Sequence, residues 1–157
     1  MNNLSPPVGR AGRLPGGCNL CCPASLPFNY NGMKLRIQGN SIRLRLSQGE
    51  VQAFGETGKV EDSIAFGTSP GQRITYVLEL GSIEKPTADF TGNQIKVSLP
   101  NKMGLAWATT DEVGIDFDMA IEDGHVLRIL VEKDFKCLTD RAGEDESDNF
   151  PNPHLQC

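Results

Sequence analysis

From residue 34 onward the chain alternates apolar and polar positions in short runs. Leu35 and Ile37, then Ile42, Leu44 and Leu46, alternate with polar residues on either side of Gly39-Asn40. That is the mark of a half-buried hairpin closed by a two-residue primed turn. The register this predicts sets Ile37 against Ile42, Arg36 against Arg43, and Lys34 against Arg45. Ser47 and Glu50 then stand in capping-box spacing, which predicts a short helix that buries Val51 and Phe54 and ends around Gly55 to Gly58. KVEDSIAF and RITYVLEL follow as two more alternating strands on either side of Ser69-Pro70-Gly71.

The same order then recurs. Sliding the chain against itself by 53 positions lays GNSIRLRL on GNQIKVSL, and the match runs without a gap from residue 36 to residue 80. Identical pairs include Gly39/Gly92, Asn40/Asn93, Ile42/Ile95, Leu46/Leu99, Ala53/Ala106, Thr57/Thr110, Val60/Val113 and Glu79/Glu132. Apolar parity agrees as well, as in Phe54/Trp107, Ile64/Phe117 and Leu78/Val131. The second helix starts near Pro100, where proline is tolerated, and the last turn uses Asp123-Gly124. The pattern therefore predicts a mainly β domain over residues 33–139 with two short helices, built from two strand-strand-helix-strand-strand repeats at 34–86 and 87–139. An α+β arrangement is the alternative fold class.

The second copy, GNQIKVSLPNKMGLAWATTDEVGIDFDMAIEDGHVLRILVEK, with Leu99-Pro100 between hairpin and helix, resembles the AbrB-type and MazE-type family of transcription regulators and antitoxins. In that family two units from two chains interleave into one swapped-hairpin barrel. The resemblance covers residues 34 to 133 and implies a pseudo-twofold small β-barrel within one chain. It also implies DNA reading by Arg36, Arg43 and Arg45. The longer stretch from Met33 to Pro153, with NSIRLRL, VEKDFKCL and ESDNFPNP, resembles an uncharacterised family of small bacterial proteins, which implies no activity.

Composition changes this picture mainly at the ends. Residues 1–32 are rich in Pro, Gly and Asn without periodicity, which predicts a disordered extension. Met33 directly precedes the first patterned strand, so a start there would leave that extension outside the protein. Residues 140–157 carry five acids against Arg141 and predict an acidic flexible tail. The formal net charge of −5 argues against general nucleic-acid binding, because phosphate attraction must then come from a local patch. No apolar run reaches the ~18 residues of a membrane span, and no signal-peptide core is present. Five cysteines at 18, 21, 22, 137 and 157 make no even framework. Together these predict a cytoplasmic protein in a reducing compartment.

The local patch is the first hairpin. Lys34, Arg36, Arg43 and Arg45 share its outer face, and like charges directly opposite each other destabilise a sheet unless something negative covers them. The equivalent positions of the second copy, Thr87, Asp89, Lys96 and Ser98, set Asp89 against Lys96 as a complementary pair. Three anions could serve the first copy: Glu79 and Glu132 on the last strands, the tail residues Glu144, Asp145, Glu146 and Asp148, or an external partner. Val77 and Leu130 face outward on the last strands and need cover from the tail, from Phe150 or from a second molecule.

Enzymatic readings find less. His125 and His154 have no spaced nucleophile or carboxylate partner, and no phosphate-cradling glycine loop occurs. Cys18, Cys21 and Cys22 lack the second pair that a zinc site wants; Cys137, His154 and Cys157 are the remaining metal candidates. The reading is a non-enzymatic binding module without a cofactor, using the basic hairpin face and the acidic tail toward a protein partner or a second copy. A DNA-binding regulator or antitoxin and a metal-binding protein are the alternatives.

Overall fold

The computed structural model describes residues 32–136 and 146–152. The strands are β1 (Lys34–Gln38), β2 (Ser41–Leu46), β3 (Lys59–Ala65), β4 (Arg73–Gly81), β5 (Thr87–Thr91), β6 (Gln94–Pro100), β7 (Gly114–Ala120) and β8 (Val126–Lys133). Helix α1 (Gln48–Thr57) separates β2 from β3, and α2 (Asn101–Thr109) separates β6 from β7. Short 3₁₀ turns at Pro70–Gln72 and Glu122–Gly124 join the later hairpins. The fold is mainly β with two helices, in an α+β-like layout.

Eight strands divide into two four-stranded sheets. Sheet A has the order β1-β2-β8-β7 and sheet B the order β3-β4-β6-β5. The predicted closed barrel does not form, because β1, β7, β3 and β5 each pair on one side only. Where β5 approaches β7, the Ala88 amide donates to Met119 Sδ (3.3 Å) where a ladder bond would continue a barrel wall. Each sheet joins a hairpin from the first half of the chain to a hairpin from the second through one parallel pair. Ser41 pairs with Arg128 and Leu46 with Lys133 in sheet A; Gln94 pairs with Thr75 and Leu99 with Leu80 in sheet B. Each residue in the second set lies 53 positions from its counterpart in the first.

The first hairpins also share a register, Lys34 opposite Arg45 and Thr87 opposite Ser98. Their turns hold the opposite half of the chain: Asn40 Nδ2 donates to the Val126 carbonyl (2.6 Å) and Asn93 Nδ2 to that of Gly71 (2.9 Å). The second hairpins differ. Lys59 faces Glu79, whereas Gly114 faces Glu132, so the ungapped match slips by two residues there. Gly58 explains the slip. It ends α1 in a left-handed conformation (φ 76°), and β3 begins at the next residue. Position 111 holds aspartate, and the chain passes through Thr110–Val113 before β7; Val113 is exposed while Ile115 is buried.

The core lies between the inner faces of the sheets and under the helices, with Leu44, Leu46, Phe54, Leu78, Val97, Leu99, Trp107, Ile129 and Val131 all 0% exposed. Phe54 and Trp107 meet edge to face, centroids 6.0 Å apart, and lock α1 onto α2. Gly104 is buried at this crossing, where a Cβ would lie 2.3 Å from Leu80 Cδ2. The paired threonines have one job in both halves. Thr57 Oγ1 donates to Ala53 O (2.7 Å) and Thr110 Oγ1 to Ala106 O (2.8 Å), satisfying a carbonyl in the last turn of each helix.

Residues 146–152 pack back onto the domain. Asp148 satisfies the start of α1: its carbonyl accepts from Gln48 N (2.9 Å) and its carboxylate from Gly49 N (3.2 Å), a favourable place for an anion. Phe150 bridges to Phe135 in parallel, with Phe150 N donating to Asp134 O and Lys136 N to Phe150 O. Its ring joins the core cluster. Val77 is 1% exposed and Leu130 half-buried.

Candidate functional site

The outer face of sheet A carries the four hairpin cations, in the register the alternation predicts. β2 lies parallel to β8, so Arg45 sits directly beside Glu132. Glu132 Oε1 accepts from Arg45 Nε at 2.6 Å and stands 3.7 Å from Arg43 Nε. Lys34 Nζ is 2.8 Å from the buried Asp134 carboxylate. Arg36 differs from all three: its guanidinium meets only the Gln38 side-chain oxygen (2.7 Å) and has no carboxylate among the described residues. Beyond Leu130 the face turns acidic, with Asp116 and Asp118 on β7. Asp116 is tied to Arg128 (2.6 Å), and that hydrogen bond holds its carboxyl below the usual aspartate value.

Glu79 occupies the corresponding place in sheet B but serves other groups. It accepts from Ser98 Oγ (3.1 Å) and lies 3.4 Å from Lys96 Nζ. Lys96 therefore pairs with Glu79, and Asp89, although directly opposite Lys96, takes the Thr91 hydroxyl (2.8 Å). Of the tail anions, Asp148 caps α1 and makes no contact with Arg36, while Glu144 and Asp145 lie outside the described residues. Glu146 accepts from Asn149 N through its carbonyl (3.2 Å). Cys137, His154 and Cys157 also lie outside the described residues, and among those described no group of metal-ligating side chains comes together.

A cleft of about 320 Å³ opens at the end of the cationic face, lined by Arg45, Glu132, Asp134, Lys136 and Asn152 among others. Of these, Arg45 and Glu132 are paired with each other and Asp134 with Lys34. No helix among the described residues is long and apolar enough to cross a membrane.

Two polar groups lie inside the fold, each on the inward parity of its strand. Lys133 takes an inward position at the end of β8 and is 6% exposed. Its ammonium donates to the Thr110 carbonyl and lies 5.8 Å and 5.5 Å from the ring centroids of Trp107 and Phe150. Burial lowers its pKa. The residue 53 positions earlier, Leu80, is half-buried at the matching register position of sheet B. The signal in the sequence was parity alone, which placed position 133 inward with position 131.

The second polar group is Tyr76, which faces Asp62 across β3–β4 and is 5% exposed. Burial pushes its hydroxyl well above the ordinary tyrosine value, and the charge of Asp62 opposite adds to that. Glu50 stands close by, bound by Ser47 N (3.0 Å), its carboxyl raised above 4.5 by burial first and by Asp62 as well. In the folded state Glu50 thus binds its proton more readily than in the unfolded chain. Its contribution favours folding most below 4.5 and is lost as pH rises through the folded value. Glu50→Gln keeps the capping acceptor and removes the charge. It is expected to be as stable as wild type, or up to about 1 kcal/mol more stable, at neutral pH and to lose that advantage near pH 4. Urea midpoints at the two pH values check this; a variant weaker only at neutral pH contradicts it.

A model of a family of unknown function (DUF7009) matches residues 33–154. No curated protein and no solved structure matches the chain.

Proposed function

We propose that this chain, which belongs to that family of unknown function, is a non-enzymatic binding module whose basic hairpin face engages an acidic protein surface or a second copy. The observation that carries the reading is Arg36. On a face where Arg43, Arg45 and Lys34 all reach carboxylates, its guanidinium stays outward with an amide as its partner. An acidic side chain arriving there gains a charge-assisted, bidentate contact without breaking an internal pair.

We infer further that the domain is a duplicated strand-strand-helix-strand-strand unit with exchanged hairpins, as the AbrB-type resemblance implies. The shared registers, the two asparagine ties and the matched threonines support this. Duplication gives the charge pattern meaning: Lys34, Arg36, Arg43 and Arg45 correspond to Thr87, Asp89, Lys96 and Ser98, so one half carries a cationic face that the architecture does not require. A DNA-binding regulator is the second reading, favoured by the same arginines and opposed by the net charge of −5.

Binding of a labelled peptide alternating Glu with apolar residues, beside binding of a short DNA duplex, separates the two. Arg36→Glu/Arg43→Glu is expected to weaken the peptide at least about tenfold, roughly 1.4 kcal/mol, and the wild-type affinity to fall with salt. Duplex binding with a steep salt slope and no peptide binding would install the regulator instead. Binding unchanged by the double variant removes the face from either role.

A further inference from the structure

The two edges of sheet A carry opposite charge on the same face. β1 presents Lys34 and Arg36 outward, and β7 presents Asp116 and Asp118 outward. The edges also point the same way, since β1 is antiparallel to β2, β2 parallel to β8, and β7 antiparallel to β8. On the inner face β1 offers Ile37, 61% exposed, and β7 carries Phe117 and Met119, both half-buried against the core, with Met119 Sδ accepting from the Ala88 amide of β5. Asp116 is held by Arg128 of its own chain; Asp118 lies opposite the same arginine without an ion pair at contact distance among the described residues. Sheet B lacks this polarity. Lys59 and Glu61 on the β3 edge neutralise each other at 2.6 Å, and the β5 edge carries Asp89 between two threonines.

We propose that the protein self-associates head to tail, the β1 edge of one copy taking the β7 edge of a second. Laid side by side in parallel, Arg36 meets Asp118 while Ile37 meets Met119. The outer face then gains a complementary charge pair, and the exposed isoleucine gains apolar cover. Like edges repel: cations along β1 oppose β1–β1 pairing, and aspartates along β7 oppose β7–β7 pairing. Only the unlike junction is left. It uses a different patch on each partner, so every added copy presents a fresh edge and assembly does not close at two.

This inference rests on the reading of the hairpin face as a binding surface, and the test separates them. The full chain is followed by sedimentation velocity over a concentration series at low and high salt. Wild type is expected to gain mass with concentration at low salt and to lose it at high salt. Arg36→Glu and Asp118→Lys, both exposed positions, should each weaken association at least about tenfold. An equimolar mixture of the two variants should restore it, since each reversed edge now complements the other's. A wild type that stays monomeric throughout, or single variants that associate like wild type, overturns the proposal. The peptide titration reads the underlying face independently, because Asp118→Lys leaves peptide affinity unchanged while Arg36→Glu lowers it. Peptide binding by a monomeric wild type removes the edge junction and keeps the face; absence of both removes both.

Discussion

Trp107→Ala is expected to lower the unfolding free energy by about 3–5 kcal/mol, much of the ~5–15 kcal/mol that a domain of this kind has. The indole is 0% exposed and sits where α1 meets α2. It meets Phe54 edge to face, donates from Nε1 to Val113 O at 3.4 Å, and lies 5.8 Å from the Lys133 ammonium. Alanine leaves a cavity that neighbouring backbone cannot fill, and it takes one of two aromatic faces from a buried cation. Urea unfolding with an unchanged slope but a much lower midpoint is the expected result. A loss below about 1 kcal/mol would mean that the α1–α2 junction repacks and that Trp107 is not the keystone described.

Separating the chain between β4 and β5 is expected to abolish folding of both pieces and mixing to restore it. Neither 33–83 nor 84–152 contains a complete sheet. Sheet A takes β1 and β2 from the first and β7 and β8 from the second; sheet B takes β3 and β4 from the first and β5 and β6 from the second. Cutting between Gly81 and Thr87 breaks no strand. Circular dichroism of each fragment alone should show little native structure at low concentration, and an equimolar mixture should regain it with a 1:1 mass. A fragment that folds as a monomer would show that its sheet does not need the other half. Because the registers match at 53 positions, pairing of one fragment with itself is the competing product, recognised by its dependence on concentration.

Much of the architecture could be read before any coordinates. The hairpin register from Lys34 to Arg45 and both helices follow from alternation and the internal match; Phe54 and Trp107 stand out only as matched apolar positions, and Glu132 as one of three sources of negative charge for the arginines. What escaped was set by tertiary context. The two-residue slip of β7 hangs on Gly58, whose left-handed end has no counterpart at Asp111, a difference visible in the sequence but silent without a helix terminus to place it on. Lys133 reads as a surface residue on polarity, yet parity and the carbonyl of Thr110 hold it inside. Segment 146–152 reads as charge alone, and its place depends on the unfilled amides of α1, which Asp148 serves. The barrel expected from resemblance gives way to two open sheets, because the corner strands meet through side chains.

The parallel pairs that join the halves also order the folding events. In sheet B, Glu79 and Ser98 are 19 positions apart, so β3, β4, β6 and β5 come together within one contiguous stretch. In sheet A, Arg45 and Glu132 are 87 apart, and the β1–β2 hairpin waits for nearly the last strand to be made. Loop closure over that span comes late and slowly. A ribosome therefore releases Leu44 and Leu46 long before their neighbours exist, which makes the leading hairpin, with its row of cations, the segment of the nascent chain most in need of solubility.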